Sequence, residues 1–130
     1  MIFVDTNYFL RFILRDITKQ RETARKLFEE ASAGKVKITT STIVIFEIYW
    51  VLSSFYGSKK TFIVNTLEKI LDLGFLELTE RDVIEKALNV YKREKLSLED
   101  SYNIAYSKIH QITDFATFDK KLENYLKKSN

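Results

Sequence analysis

Four acidic residues lie along this 130-residue chain in settings where carboxylates could act together, namely Asp5, Glu47, Asp100 and Asp119. Mg²⁺ and Mn²⁺ are hard cations that take oxygen ligands, commonly from clustered carboxylates. A cation held in this way lowers the pKa of a bound water and stabilises the charge that builds on a phosphoryl group. The four residues therefore indicate metal-assisted phosphoryl chemistry, provided that the fold brings them together.

Three of these residues also have a purely structural interpretation. Asp5 and Asp119 each precede a helical pattern, and Asp is a favoured N-cap. Asp100 follows Ser97 by three residues, which is the spacing of a capping box. Helix capping explains each residue taken singly as well as chemistry does, so the argument depends on all four together.

Glu47 is the residue that capping does not explain. In a helix its neighbours three and four positions away are all apolar, and these are Ile43, Val44, Trp50 and Val51. We therefore expect the Glu47 carboxylate to be removed from solvent. An unpaired carboxylate in such a place would cost several kcal/mol or become neutral. Glu47 is thus predicted to meet either a metal ion or an Arg or Lys partner.

The sequence offers few competing catalytic groups. It has no Cys and a single His, His110, which excludes thiol nucleophiles, zinc–thiolate sites and polyhistidine metal sites. It contains no Gly-rich phosphate-binding loop. Two further acids, Glu99 and Asp114, are expected to be solvated.

Strand and helix patterns alternate along the chain and predict an α/β fold with a parallel sheet. Short apolar runs predict strands at residues 2–5, 36–39, 75–78 and 112–117. Periodicity and capping residues predict helices at 6–14, 18–33, 42–55, 58–74, 79–94, 97–110 and from 119 onward. Ligands bind beyond the carboxyl ends of parallel strands, where Asp5 and Asp119 are expected. No repeat or change in composition interrupts residues 1–130, which predicts a single domain.

These ordered motifs resemble those of PIN-domain nucleases. The resemblance is carried by Val4-Asp5-Thr6-Asn7, Glu47, Asp100 with Ile104-Ala105, and Ala116-Thr117-Phe118-Asp119. The first motif is followed by Leu10-Arg11 and Leu14-Arg15-Asp16, and this start is similar to the toxin subunits of VapBC toxin–antitoxin pairs. The resemblance spans nearly the whole chain and implies a three-layer α/β/α sandwich with a short parallel sheet.

The same resemblance implies a Mg²⁺- or Mn²⁺-dependent endoribonuclease with a small antitoxin protein as its partner. By position, Asp5 and Asp100 would be the main metal ligands, and Glu47 and Asp119 would complete the cluster directly or through water. Thr6 would hydrogen-bond within the cluster, and Asn7 and Thr117 would support it. Two alternatives stay open, a PIN-domain RNA-processing nuclease without an antitoxin and a catalytically silent RNA-binding domain.

The charge of the chain fits a polyanionic substrate. The net charge of +3 becomes +7 when the four candidate carboxylates are set aside, which leaves a basic body around an acidic site. Four cations near the candidate residues are predicted to hold RNA phosphates, namely Arg11, Arg15, Lys120 and Lys121. The alternative for the two arginines is an ion pair with Asp16 or with a neighbouring subunit.

Aromatic residues are concentrated in the first half of the chain. They are Tyr8, Phe9, Phe12, Phe46, Tyr49, Trp50, Phe55, Tyr56 and Phe62. One small core is not expected to use all of them, so we expect some to form a homodimer contact and others a groove for an antitoxin segment. The alternative is that all of them are core residues. The absence of Cys, of a secretory signal and of an apolar run of about 20 residues predicts a cytoplasmic protein that does not cross a membrane.

Overall fold

The computed structural model of this chain describes residues 1–15 and 17–129. Its internal contacts divide the chain into two compact units, Met1–Arg81 and Asp82–Asn130. The first unit carries the strands and most of the aromatic residues, and the second is helical. The single domain expected over residues 1–130 stays a prediction.

The first unit contains a short parallel sheet. Its strands are β1 (Ile2–Phe3), β2 (Ile38–Thr39) and β3 (Leu76–Glu77), in the order β1-β2-β3. In the register Ile2 lies opposite Ile38, which in turn lies opposite Leu76. This arrangement confirms the predicted α/β class and the short parallel sheet, although each strand is shorter than the apolar run that predicted it.

Threonine side chains extend the strand pairing beyond the ladder at the carboxyl edge of the sheet. The buried Thr40 donates its hydroxyl to the Val4 carbonyl (2.8 Å), and its N–H donates to the Glu77 carbonyl (3.1 Å). The Thr39 hydroxyl also donates to the Glu77 carbonyl (2.9 Å). All three strands are therefore tied together at the edge where Asp5 leaves β1.

The helices of the first unit begin and end largely at the residues that the sequence favours. They are α1 (Thr6–Leu14), α2 (Thr18–Ser32), α3 (Thr42–Ser54) and α4 (Lys60–Leu71). Ser41 caps α3 by accepting a hydrogen bond from the Val44 N–H (3.3 Å). Gly34 has a φ of 78° and follows α2, where its N–H and that of Lys35 bond back to carbonyls of the last turn.

The core of the first unit joins the sheet to these helices. Ile38 and Leu76 are buried in the sheet, and Ile45, Ile48 and Leu52 are buried on α3. Phe28 of α2 packs against two rings of α1, with centroid distances of 5.6 Å to Phe9 and 5.2 Å to Phe12. Aromatic residues of α1 and α2 thus fill part of this core.

The second unit contains α5 (Arg81–Arg93) from its second residue onward, together with α6 (Leu98–Ile109) and α7 (Lys120–Ser129). One buried cluster joins Val90, Leu96, Ile104 and Leu122, and another joins Val83, Ala87 and Ala105. Ser97 caps α6 by accepting from the Asp100 N–H (3.1 Å), as the capping pattern predicts.

The fourth predicted strand is not formed, since residues 112–119 have no regular secondary structure. This segment alternates weakly and contains Asp114, and its Ile112 is 49% exposed. The described part of its own unit contains no strand that could pair with it, and β-propensity depends on such a partner. None of the helices in the described part of the chain has the length and apolar character needed to cross a membrane.

Candidate active site

Asp5 stands at the junction of β1 and α1. Its backbone is extended (φ −90°, ψ 175°), and its Oδ1 accepts hydrogen bonds from the N–H groups of Asn7 (3.1 Å) and Tyr8 (3.4 Å). The structural interpretation of Asp5 as an N-cap is therefore correct. Capping uses only one carboxylate oxygen, so it does not exclude a second role.

Glu47 on α3 is connected to the start of α1 through Thr6. The Thr6 side chain is 8% exposed, and its hydroxyl donates to Glu47 Oε2 at 3.1 Å. Thr6 follows Asp5 directly, so Glu47 is hydrogen-bonded to the residue next to Asp5. The expected hydrogen bond of Thr6 to a candidate carboxylate is thus present within the first unit.

The expectation that Glu47 is removed from solvent is wrong, because its side chain is exposed. The apolar neighbours do not enclose it, since Ile43 is 69% exposed and Trp50 is 53% exposed. A helix that is apolar on nearly every face gives no signal for which face points inward. The ion pair considered for Glu47 is also absent among the described residues of the first unit.

The two candidate carboxylates of the first unit each keep one oxygen without a hydrogen-bond partner among its described residues. These are Oδ2 of Asp5 and Oε1 of Glu47, since the hydrogen bonds of the two side chains use Oδ1 and Oε2. Both side chains are exposed, so neither oxygen is shut off from a ligand. An all-oxygen donor set of this kind suits Mg²⁺ or Mn²⁺.

Asp100 lies in the first turn of α6 and is half-buried. Its N–H donates to Ser97 Oγ, which is one half of the predicted capping box. The reciprocal bond from the Ser97 N–H to the Asp100 carboxylate is not formed within the described part of this unit. The capping role therefore leaves the Asp100 carboxylate available.

Asp119 caps α7, with its Oδ1 accepting from the Leu122 N–H at 3.1 Å. Thr117 supports this turn, because its hydroxyl oxygen accepts from the Asp119 N–H at 3.1 Å. Asp119 is exposed and Thr117 is half-buried. The structural interpretation of Asp119 as a cap is again correct, and it again uses one oxygen.

Three of the four candidates share a position at a helix N-terminus, namely Asp5, Asp100 and Asp119. The helix macrodipole places partial positive charge at that end and stabilises a negative side chain there. Each of these three carboxylates therefore lies beside the partial positive charge of a helix N-terminus.

The structure describes the four candidates as two pairs in separate units, Asp5 with Glu47 and Asp100 with Asp119. Among residues 1–15 and 17–129, no group of three or more His, Cys, Asp or Glu side chains is placed to hold one metal ion. The four-carboxylate cluster stays a prediction.

A cleft of about 370 Å³ opens beside Asp5, between α1 and the start of α2. Its lining includes Asn7, which was expected to support the site, and Arg11, which was expected to hold phosphate. It also includes Tyr8 and Gln20, to which the sequence drew no attention as site residues. Tyr8 could have been found from its position one helical turn after Asp5, whereas Gln20 comes from another helix and left no local signal.

Arg15 lies outside α1, with a left-handed backbone (φ 56°), and lines a different cavity from Arg11. This second cavity has a volume of about 290 Å³ and is lined mainly by apolar side chains, among them Phe9, Phe12, Phe28 and Phe62. Its cationic lining consists of Arg15, Arg21 and Lys69. Asp16, the alternative partner of the two arginines, lies outside the described residues.

The two lysines after Asp119 are both exposed at the start of α7. Lys120 forms an ion pair with Glu123, with 3.5 Å between Nζ and Oε2. Lys121 has no ion-pair partner in the described part of the second unit. Lys121 is therefore the lysine better placed to contact an external anion.

The comparisons with known proteins agree with the motifs. A family model described as the PIN domain matches residues 2–128. Among curated proteins and solved structures, none matches the chain.

Proposed function

Because the chain belongs to the PIN-domain family, whose members are generally metal-dependent nucleases, we propose that it is a Mg²⁺- or Mn²⁺-dependent endoribonuclease. The observation that carries this proposal is the arrangement of Asp5, Thr6 and Glu47. Thr6, the residue next to Asp5, bonds to Glu47, and each of the two exposed carboxylates keeps one oxygen without a hydrogen-bond partner among the described residues of the first unit. Both free oxygens are open to solvent and are therefore accessible to a cation.

Asp5 and Asp100 would hold the cation, and Glu47 and Asp119 would complete the set directly or through water. When bound, the cation would activate a water for attack on the phosphodiester and would stabilise the negative charge that develops on the phosphoryl group. The chain's own contribution is orientation. Thr6 holds Glu47 through its hydroxyl, and Thr117 fixes the turn from which Asp119 projects.

RNA phosphates would be held by cations close to these carboxylates. Arg11 lines the cleft that contains Asp5, and Lys121 is exposed two residues after Asp119. Such contacts position the backbone without reading its sequence. Arg15 and Lys120 are weaker candidates, since Arg15 lines another cavity and Lys120 pairs with Glu123.

The test is cleavage of total RNA by purified protein with Mg²⁺, with Mn²⁺ and with EDTA. We expect cleavage with either cation and none with EDTA. Asp100→Asn should lose activity by at least about a hundredfold, since removing one metal-site group commonly has effects of this size. Glu99→Gln is the matched control, because Glu99 is adjacent and exposed. Activity that survives in EDTA, or equal loss in both variants, would contradict the proposal.

We further propose that the cavity at Arg15 receives a segment of a small antitoxin protein. The exposed rings of Phe12 and Phe62 offer apolar contact, and three cations offer charge complementarity to an acidic segment. Arg21 supports this reading, because its Nε is buried and has no hydrogen-bond partner among the described residues. A buried donor of this kind is costly until a partner arrives. Without an antitoxin, the protein would be an RNA-processing nuclease of the same family.

The homodimer is also a proposal, supported by exposed aromatic residues around the end of α3. Phe55 is 74% exposed, Tyr56 51% and Trp50 53%, and the Trp50 and Phe55 rings are in edge contact at 5.6 Å. Contiguous exposed apolar surface of this kind is typical of protein contacts. Sedimentation equilibrium of the wild type and of Phe55→Ser should show a dimer that weakens in the variant, whereas a wild-type monomer would refute the proposal.

A further inference from the structure

The cleft beside Asp5 has features of a ligand site in its own right. Its volume of about 370 Å³ falls within the range of small-molecule sites. It lies within the first unit, where residues from α1 and α2 face the same space. Its lining is mixed, with a carboxylate, a cation, an aromatic ring and amide side chains. This combination differs from an apolar cavity left by imperfect packing.

Tyr8 gives the cleft a flat surface. Its side chain is 38% exposed, and it lies one helical turn after Asp5. Tyr8 also lines a neighbouring cavity of about 390 Å³, together with Phe3 and Lys26. The tyrosine therefore stands between two adjoining spaces. An exposed ring so placed can stack a nucleobase, because every base has a π-face.

Two amide side chains in the cleft can provide base recognition. Asn7 and Gln20 are exposed, and their side-chain amides form no hydrogen bond with the described residues. An amide offers a donor and an acceptor together, which matches the edge of a nucleobase. Thr23 is less available, because its hydroxyl donates to the Lys19 carbonyl at 3.2 Å. Gln20 is thus the residue of α2 best suited to read a base.

Arg11 contributes a positive charge to the cleft. Arg11 is one turn beyond Asn7 on α1 and lines the same space. A guanidinium holds phosphate well, because its planar N–H groups match two phosphate oxygens. A nucleotide lying in the cleft would thus meet Tyr8 and Gln20 with its base and Arg11 with its phosphate.

We propose that this cleft binds one unpaired base of single-stranded RNA, stacked on Tyr8 and read by Gln20, and so positions the adjoining phosphate at Asp5. The inference rests on the proposed nuclease function and adds to it two residues that position the substrate and read one base. A base in a duplex is stacked on both faces and paired along its Watson–Crick edge, so only an unpaired base can enter. Tyr8 and Gln20 are accordingly positioning and specificity residues.

The first experiment measures binding without catalysis. Fluorescein-labelled 12-nucleotide RNA is titrated with protein in EDTA, with anisotropy as the readout. We expect Tyr8→Ala to weaken binding by about tenfold or more and Tyr8→Phe to stay within about twofold of the wild type. Tyr106→Ala is the matched control, because Tyr106 is 39% exposed and lies in the other unit. Circular dichroism confirms that each variant is folded.

Three results would refute the proposed base pocket. The first is that Tyr8→Ala binds the RNA as tightly as the wild type, and the second is that Tyr8→Phe loses as much affinity as Tyr8→Ala. The third is that the wild type binds duplex RNA of the same length as tightly as the single strand. Gln20→Ala provides a second route that does not depend on Tyr8. We expect its RNA cleavage map to lose base preference at one position next to the cut, with the rate at favoured sites reduced severalfold. An unchanged map would exclude Gln20 as the reading residue.

The two hypotheses fail in different ways. If the wild type cleaves RNA and Tyr8→Ala cleaves and binds RNA as the wild type does, the base-pocket proposal is refuted and the nuclease proposal is retained. If the wild type never cleaves but binding in EDTA depends on Tyr8 as expected, the nuclease proposal fails and the pocket is retained in a protein that only binds RNA.

Discussion

Replacing Thr6 by Val tests whether the hydrogen bond to Glu47 orders the candidate site. Valine has nearly the shape of threonine and lacks the hydroxyl, so the substitution keeps the packing of a side chain that is 8% exposed. The change removes a single donor, which reaches Glu47 Oε2 at 3.1 Å. The matched control is Thr6→Ser, which keeps the hydroxyl and loses the methyl group.

The expected magnitude follows from the exposure of Glu47. A hydrogen bond to a charged group contributes about 1.5–3 kcal/mol when both partners are shielded. Glu47 is exposed, so water replaces the lost donor, and we expect less than about 1 kcal/mol of change in the free energy of unfolding. The cost to function should be larger, because groups that orient metal ligands commonly contribute about 10–100-fold to affinity or activity.

The assays are urea unfolding and RNA cleavage across a Mg²⁺ titration. We expect Thr6→Val to keep its urea midpoint close to the wild-type value while kcat/KM falls by about tenfold or more and the Mg²⁺ requirement rises. Thr6→Ser should retain most of the activity. The reasoning is refuted if Thr6→Val cleaves like the wild type, or if serine and valine variants lose activity equally.

Four further outcomes are expected. Asp5→Asn should melt at a higher temperature than the wild type without metal and gain less from millimolar Mn²⁺, because it removes one of several repelling carboxylates; an equal Mn²⁺ response in both proteins would show that Asp5 is not a ligand. Arg11→Ala combined with Lys121→Ala should weaken RNA binding and flatten its dependence on salt, and an unchanged slope would place the RNA elsewhere. The hydrogen bond and charge of Arg25 lower the pKa of Glu22, so this contact stabilises the fold above the ordinary pKa of Glu22 and is lost as pH falls through the lowered value; Arg25→Ala should return the Glu22 pKa in an NMR titration to its ordinary range. An antitoxin tail that places a basic side chain among the carboxylates should bind more weakly in saturating Mn²⁺ by reciprocity, and an affinity indifferent to Mn²⁺ would exclude direct occupation.

Much of the helical structure could be predicted from local sequence, because caps act on groups within one turn. Ser41, Ser97 and Asp119 each accept the hydrogen bond that their position favours. Gly34 ends α2 for the same local reason, since its positive φ is easily reached without a side chain. The α/β class followed from the alternation of such segments with short apolar runs.

Properties that depend on distant neighbours were less predictable. The run at 112–117 has some strand character but no strand forms there, because a ladder needs a partner that the segment itself does not encode. Glu47 was expected to be enclosed on the evidence of apolar neighbours in sequence, yet Ile43 and Trp50 are exposed beside it. The contact of Glu47 with Thr6 spans 41 positions, and only the resemblance suggested that Thr6 bonds within the site.

The two-residue strands make the alignment of β1 with β2 unusually dependent on one side chain. A ladder this short resists sliding poorly, and a slip of one residue would turn each β1 side chain to the opposite face of the sheet. The Thr40 hydroxyl meets the Val4 carbonyl in the native alignment and would lose it in a shifted one. Thr40 thereby stabilises the strand register that determines the face of the sheet to which Asp5 is turned, without taking part in chemistry. Anyone transplanting the Val4-Asp5-Thr6 segment into another parallel sheet would need to carry Thr40 with it.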